Sequence, residues 1–195
     1  MIHTVRKKGE GKLEFPSDYT IIDIETTGLS TTKNEIIELS ALKVRNDKII
    51  SQYSSLIKPD NSIGSFITKL TGITNEMVAD SPKITEVLPD FTEFISDDCI
   101  IGHNVNFDIN FIYDNLLRHF NREFSNDYVD TMRLARKFCK FSSHRLSYLA
   151  EQFEISTEGH HRALNDCIMT YEIYKKIKTM ALNIPDNNQI SLPIA

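Results

Sequence analysis

The run Tyr19-Thr20-Ile21-Ile22-Asp23-Ile24-Glu25-Thr26-Thr27-Gly28-Leu29 sets two carboxylates in an otherwise apolar, Ile-rich segment. Residues 19–25 are short and apolar enough to form a buried strand. Side chains alternate along a strand, so Asp23 and Glu25 project from one face while Ile22 and Ile24 project from the other. Two like charges at the end of a buried strand repel and lose hydration unless something neutralises them. A divalent cation with oxygen ligands does so directly. Gly28 follows in a turn, where it permits a positive φ and a close backbone approach to a ligand. A carboxylate pair at a solvated strand end fits these eleven residues equally well, so alone they leave both readings open.

Outward from this strand, residues 35–44 and 48–57 flank the polar turn Arg45-Asn46-Asp47 and read as an antiparallel hairpin. Helical periodicity predicts helices over 65–70, 75–78 and 84–95, broken at Thr71-Gly72 and Ser81-Pro82. A short strand over 99–102 leads into a helix over 106–119. Another at 128–129 leads into a helix over 131–139, with Asp130 as its N-cap. Helices over 146–153 and 162–178 follow. A hairpin followed by strands alternating with helices implies an α/β domain around one mixed sheet. Residues 1–17, with Arg6, Lys7, Lys8 and Lys12, read as a solvated basic arm with a short strand at 13–15. The domain itself is expected to span 18–180, with 181–195 as a flexible C-terminal tail.

Two further carboxylates decide between the readings. Asp108 has Phe111 and Ile112 as its i+3 and i+4 neighbours, which puts it on an inward-facing helical stripe. Asp114 and Asn115 fall on the surface side. Asp166 has Met169 and Ile173 at i+3 and i+7, again an apolar face. His161 is five residues earlier, about 140° round an ideal helix. It therefore belongs to the preceding loop, Thr157-Glu158-Gly159-His160, or to the first turn of the helix, from which it could swing over the site. Four inward carboxylates on three elements plus one histidine suit a hydrolase with two hard cations ~4 Å apart. The histidine, titrating near neutrality, would take the proton from the attacking water. His103 reads equally as a substrate contact or a hydrogen-bonded packing residue. Tyr171 and Tyr174, at helical spacing, read as packing.

The bulk properties limit the setting. The 195 residues carry a net charge of −5 and are 41% hydrophobic and 25% charged. An acidic chain is better suited to gripping a short single strand, with cations supplying positive charge, than to holding a long duplex. Cys99, Cys139 and Cys167 are far apart with no CxxC spacing, which argues against disulfides and a zinc site and for the cytoplasm. No apolar run is long enough to cross a bilayer, and no h-region follows the charged N-terminus.

The motifs Asp23-Ile24-Glu25-Thr26-Thr27-Gly28-Leu29, Gly102-His103-Asn104-Val105-Asn106-Phe107-Asp108 and His161-Arg162-Ala163-Leu164-Asn165-Asp166 stand in order along the chain. Together with Leu70-Thr71-Gly72-Ile73-Thr74 they resemble the DnaQ-like, or DEDDh, 3′→5′ exonucleases, the family of the DNA polymerase III epsilon subunit. The resemblance runs from about residue 19 to 178 and carries the H-x4-D form of the third motif. It implies an RNase H-like fold and a pair of Mg²⁺ or Mn²⁺ ions held by Asp23, Glu25, Asp108 and Asp166. Asp108 would act directly or through a water, and His161 would be the general base. The 3′-terminal nucleotide would lie on Thr26, Thr27, Gly28 and Leu29, with Asn104 and Phe107 nearby.

Single-stranded DNA is the expected substrate, in proofreading or repair. An exoribonuclease of the same chemistry and a non-catalytic recruitment module are the competing readings. The tail segment Gln189-Ile190-Ser191-Leu192-Pro193-Ile194 resembles the Gln-led peptides that dock on bacterial sliding clamps, with Gln189, Leu192 and Ile194 as contacts. A plain tail is the equal alternative. A DNA polymerase and a clamp are thus expected partners alongside nucleic acid.

Overall fold

The computed structural model describes residues 6–183. Gln189, Leu192 and Ile194 lie outside the described residues. Among the described residues, six strands form one mixed sheet: β1 (Gly11–Lys12), β2 (Tyr19–Thr26), β3 (Ile36–Arg45), β4 (Lys48–Leu56), β5 (Ile100–Gly102) and β6 (Tyr128–Asp130). Their order is β1-β6-β5-β2-β3-β4. The β2–β3 and β3–β4 pairs are antiparallel, and β2–β5, β5–β6 and β1–β6 are parallel. The β3–β4 turn places Asn46 and Asp47 at positive φ, as a tight hairpin turn requires and as Asn and Asp tolerate.

Among the described residues, seven helices cover the sheet: α1 (Ser65–Thr71), α2 (Asn75–Val78), α3 (Ile84–Ile95), α4 (Asn106–Phe120), α5 (Thr131–Phe138), α6 (Leu146–Gln152) and α7 (Ala163–Leu182). Alternation along β2 divides them between its faces. Tyr19 and Ile21 pack with Leu42, Val44 and the apolar sides of α5, α6 and α7. Ile22 and Ile24 pack with Leu39, Ala41 and residues of α3 and α4. Asp23 and Glu25 continue the α7 side, so the strand's period of two decides which helix meets the carboxylates. Gly72, at φ 73°, ends α1 in the left-handed conformation open to glycine.

The sequence-based boundaries hold to within one or two residues, except that α7 runs about a turn longer, to Leu182. Three expectations need correction. The arm is not simply solvated: β1 forms at Gly11–Lys12 rather than at 13–15, in register with Tyr128 and Val129. A parallel partner at the sheet edge, which local sequence does not reveal, selects that segment. The same arm crosses α4, where Arg6 pairs bidentately with Asp114 at 2.6 and 2.7 Å and Lys8 Nζ donates to Asn106 and Asn110. That packing takes Asp114 off the open surface. Asn115 is buried, and its amide donates to the Phe111 carbonyl. Tyr171 and Tyr174 are packed as expected, their hydroxyls donating to the Asp47 and Pro16 carbonyls.

Candidate active site

The site begins where β2 outruns its neighbour. β5 pairs with β2 only at Thr20 and Ile21. Further along, the Ile24 N–H donates to Asp108 Oδ1 at 3.1 Å. Asp108, in the first turn of α4, thereby substitutes for the missing strand and is held beside Asp23. On the other edge, β2 pairs Asp23 with Ser40 and Glu25 with Glu38, and the register shifts immediately after Glu25. Such a bulge bends a strand and re-aims its side chains, here just before the Gly28 turn.

The remaining carboxylate comes from α7, which lies over β2 and β3. Asp166 is buried in its first turn. Oxygens of Asp23, Glu25 and Asp166 lie within 4.8 Å of one another. His160 Nδ1 is 2.8 Å from Asp166 Oδ1, and the His161 N–H donates to the same oxygen at 3.3 Å. The two imidazoles stack with centroids 3.8 Å apart. His161 sits in the loop before α7, one of the two positions its spacing allows, with φ 67°. A left-handed backbone at a non-glycine residue carries strain on the order of 1–3 kcal/mol, and such strain gathers at functional sites.

The electrostatics follow from crowding. Burial, with the charges of Asp108 and Asp166 close by, pushes Asp23 well above the usual carboxylate range. Burial and the charges of Asp166 and Glu38 push Glu25 up to about 8. Burial pushes Asp108 to about 8 as well, against the pull of its backbone hydrogen bonds. The Asp166 carboxylate raises His160, whereas burial and the His160 charge lower His161. A cluster of acids that cannot all ionise together is the environment a divalent cation relieves. All the carboxylate donors are oxygens, the ligand type that hard divalent cations take.

The loop after β2 is braced from within. The Asn34 amide donates to the Thr27 carbonyl, and its Oδ1 accepts from the Ser30 N–H. The Thr26 hydroxyl donates to the Gly28 carbonyl, and the Thr27 hydroxyl accepts from the Glu35 N–H. Thr26 and Thr27 therefore spend their hydroxyls on the loop. A Cβ on Gly28 would meet the Asn34 side chain at 2.7 Å. This bracing presents Leu29 with 87% of its surface exposed. Asn104, at φ 58°, donates its N–H to Asp130, whose carboxylate also caps α5. Phe107 is half-buried against Phe111. His103 lies between the Thr131 hydroxyl and the His144 carbonyl, and burial lowers it to about 4. Those bonds favour packing over substrate contact for His103.

Sequence reasoning missed three residues. His160, rather than His161, makes the side-chain contact with Asp166. Glu38 is a 2%-exposed carboxylate on β3, and Arg162 reaches it with both Nε and Nη2, the latter at 2.8 Å. The visible signal was an acid inside the apolar run Ile36-Ile37-Glu38-Leu39, but pairing it with Glu25 required the β2–β3 register.

A mixed sheet that ends in clustered carboxylates beneath a histidine-bearing loop defines an RNase H-like, metal-dependent nuclease. The chain matches the exonuclease family model over residues 20–174 and belongs to that family, in its DnaQ-like branch. Its exonucleases depend on divalent metal. The chain is 41% identical over 160 residues to the DNA polymerase III subunit epsilon of Aquifex aeolicus, covering 82% of this chain and 79% of that one. It is 41% identical over 170 residues to the PolC-type DNA polymerase III of Caldanaerobacter subterraneus, covering 87% of this chain but 12% of that polymerase. Among solved structures it resembles Exonuclease X in complex with 5′-overhanging duplex DNA at 29% identity. The TM-score is 0.67, and the match covers 83% of this chain and 91% of the other. Exonuclease I of E. coli in complex with a dA16 oligonucleotide shares the fold at 19% identity and a TM-score of 0.73, over 84% of this chain and 41% of the other.

Proposed function

We propose that this chain removes nucleotides from the 3′ end of single-stranded DNA, releasing nucleoside 5′-monophosphates. The observation that carries this reading is the convergence of Asp23, Glu25 and Asp166 oxygens within 4.8 Å, with Asp108 braced beside them. These four carboxylates would hold two Mg²⁺ or Mn²⁺ ions, Asp108 directly or through a water. When bound, the ions supply positive charge at the phosphate and acidify a water. His161 would take a proton from such a water on its imidazole, and burial lowers that imidazole toward its neutral, accepting form. Leu29, exposed on its braced loop, supports the terminal base, and Phe107 and Asn104 border it. The chain spans about an eighth of the PolC-type relatives and most of the Aquifex epsilon subunit. Those names motivate proofreading beside a replicative polymerase as the setting, with repair trimming as its variant.

Digestion of 5′-labelled single-stranded DNA, mismatched primer-template and RNA, each with Mg²⁺ and with Mn²⁺, tests the reading. The expected result is a 3′-shortening ladder on single-stranded DNA that Asp23→Ala abolishes. Preferential digestion of RNA would move the assignment to an exoribonuclease, and full activity in Asp23→Ala would overturn the site. Docking of Gln189, Leu192 and Ile194 on a sliding clamp is part of the same proposal. Clamp binding should require residues 189–195, and equal binding without them would reject it.

A further inference from the structure

Glu25 and Glu38 are direct partners across the antiparallel β2–β3 pair, so their side chains leave the same sheet face at neighbouring positions. Their surroundings differ sharply. Glu38 accepts from Arg162 Nε at 3.2 and 3.1 Å, from Arg162 Nη2 at 2.8 Å and from the Ala163 N–H at 3.0 Å. Glu25 receives no hydrogen bond among the described residues. One guanidinium therefore stands beside two adjacent carboxylates and commits its donors to the one further from the metal cluster. Arg162 is held in its charged form chiefly by its hydrogen bonds to Glu38, with Glu25 a weaker contributor. An Arg–carboxylate fork is planar and bidentate, a geometry Glu25 could equally offer.

We propose that Glu38 is a positioning residue that holds Arg162 off Glu25 and so reserves Glu25 for the divalent cation. A free guanidinium at this point would compete with the cation for Glu25, because each stabilises the ionised form of the same carboxylate. Glu38 also fixes where α7 starts, through Ala163, and therefore where Asp166 stands three residues later. This inference rests on the metal-site reading above, and it goes further by naming what keeps that site available.

Mn²⁺ binding to the metal-free chain, followed by calorimetry or electron paramagnetic resonance, tests it without relying on turnover. Glu38→Gln keeps the shape and an oxygen for the Ala163 N–H but releases Arg162. It should weaken Mn²⁺ binding about tenfold, equivalent to ~1.4 kcal/mol. Adding Arg162→Gln to that variant should restore binding to within about threefold of wild type, a rescue that mere damage to the fold would not give. Arg162→Gln alone should bind Mn²⁺ at least as tightly as wild type, which keeps the test open if Glu38→Gln folds poorly. Unchanged binding in Glu38→Gln, no rescue in the double variant, or weakened binding in Arg162→Gln would each overturn the proposal. A wild-type chain with no Asp23-dependent Mn²⁺ binding would instead overturn the metal-site reading itself, and this proposal with it.

Discussion

His160 Nδ1 and Asp166 Oδ1 lie 2.8 Å apart, a contact that occupies the oxygen of a candidate metal ligand with an imidazole. The neighbouring His161 ring stacks on His160 and makes no side-chain hydrogen bond among the described residues. The two histidines, adjacent in sequence, are therefore expected to respond differently to substitution. His161→Ala should lower kcat by ~10²–10⁴ with little change in KM, as expected for a lost general base. His160→Ala should cost about tenfold or less, the lower end for a group that acts through a ligand. Steady-state kinetics on a labelled oligonucleotide decide it, and a reversed order would exchange the assignments.

Asp23→Asn should act oppositely on activity and on stability. Activity should fall by on the order of 10³-fold, the several kcal/mol that metal-borne charge stabilisation supplies. The metal-free fold should become more stable at neutral pH, because folding no longer has to protonate a buried carboxyl that faces Asp108, Asp166 and Glu25. Thermal unfolding in the presence of a chelator measures the second effect.

Stability of the metal-free chain should fall as pH rises from about 4.3 toward 8. Glu25 and Asp108 titrate near 8 in the fold but near 4 in the unfolded chain, so between those values the native state holds more protons. Their contribution is fully present below the unfolded pKa and is lost as pH passes the folded one. Saturating divalent cation should flatten this slope. Unfolding midpoints across pH 5–8.5, with and without Mg²⁺, test it, and a metal-independent slope would contradict the clustered-carboxylate picture.

Leu29→Ala should raise KM several-fold with the unfolding temperature unchanged, because a side chain 87% exposed contributes almost nothing to the core. An altered kcat at unchanged KM would remove Leu29 from substrate binding.

Local sequence carried the site's positions a long way. Period two put Asp23 and Glu25 on one face, and period 3.6 turned Asp108 and Asp166 inward, because each regularity depends only on backbone geometry within one element. The same arithmetic kept His161 off the face of Asp166, leaving the loop or the first turn of the helix, and the structure has it in the loop. Asn115 escaped it: its burial depends on which side of α4 the rest of the molecule covers, and that is decided by elements distant in sequence.

The chain's own order of residues thus determined the element types, the faces of the four carboxylates and the family motifs. The tertiary structure alone decided the β2–β3 register that sets Glu25 beside Glu38 and the allegiance of Arg162 to the latter. It also decided the use of Asp108 as a substitute partner for β2 and the choice of His160 to touch Asp166. The physical reason is common to all of these. Hydrogen bonds and charge pairs between separate segments, such as that of Arg162 with Glu38 across 124 residues, depend on which donor reaches which acceptor once the sheet has closed.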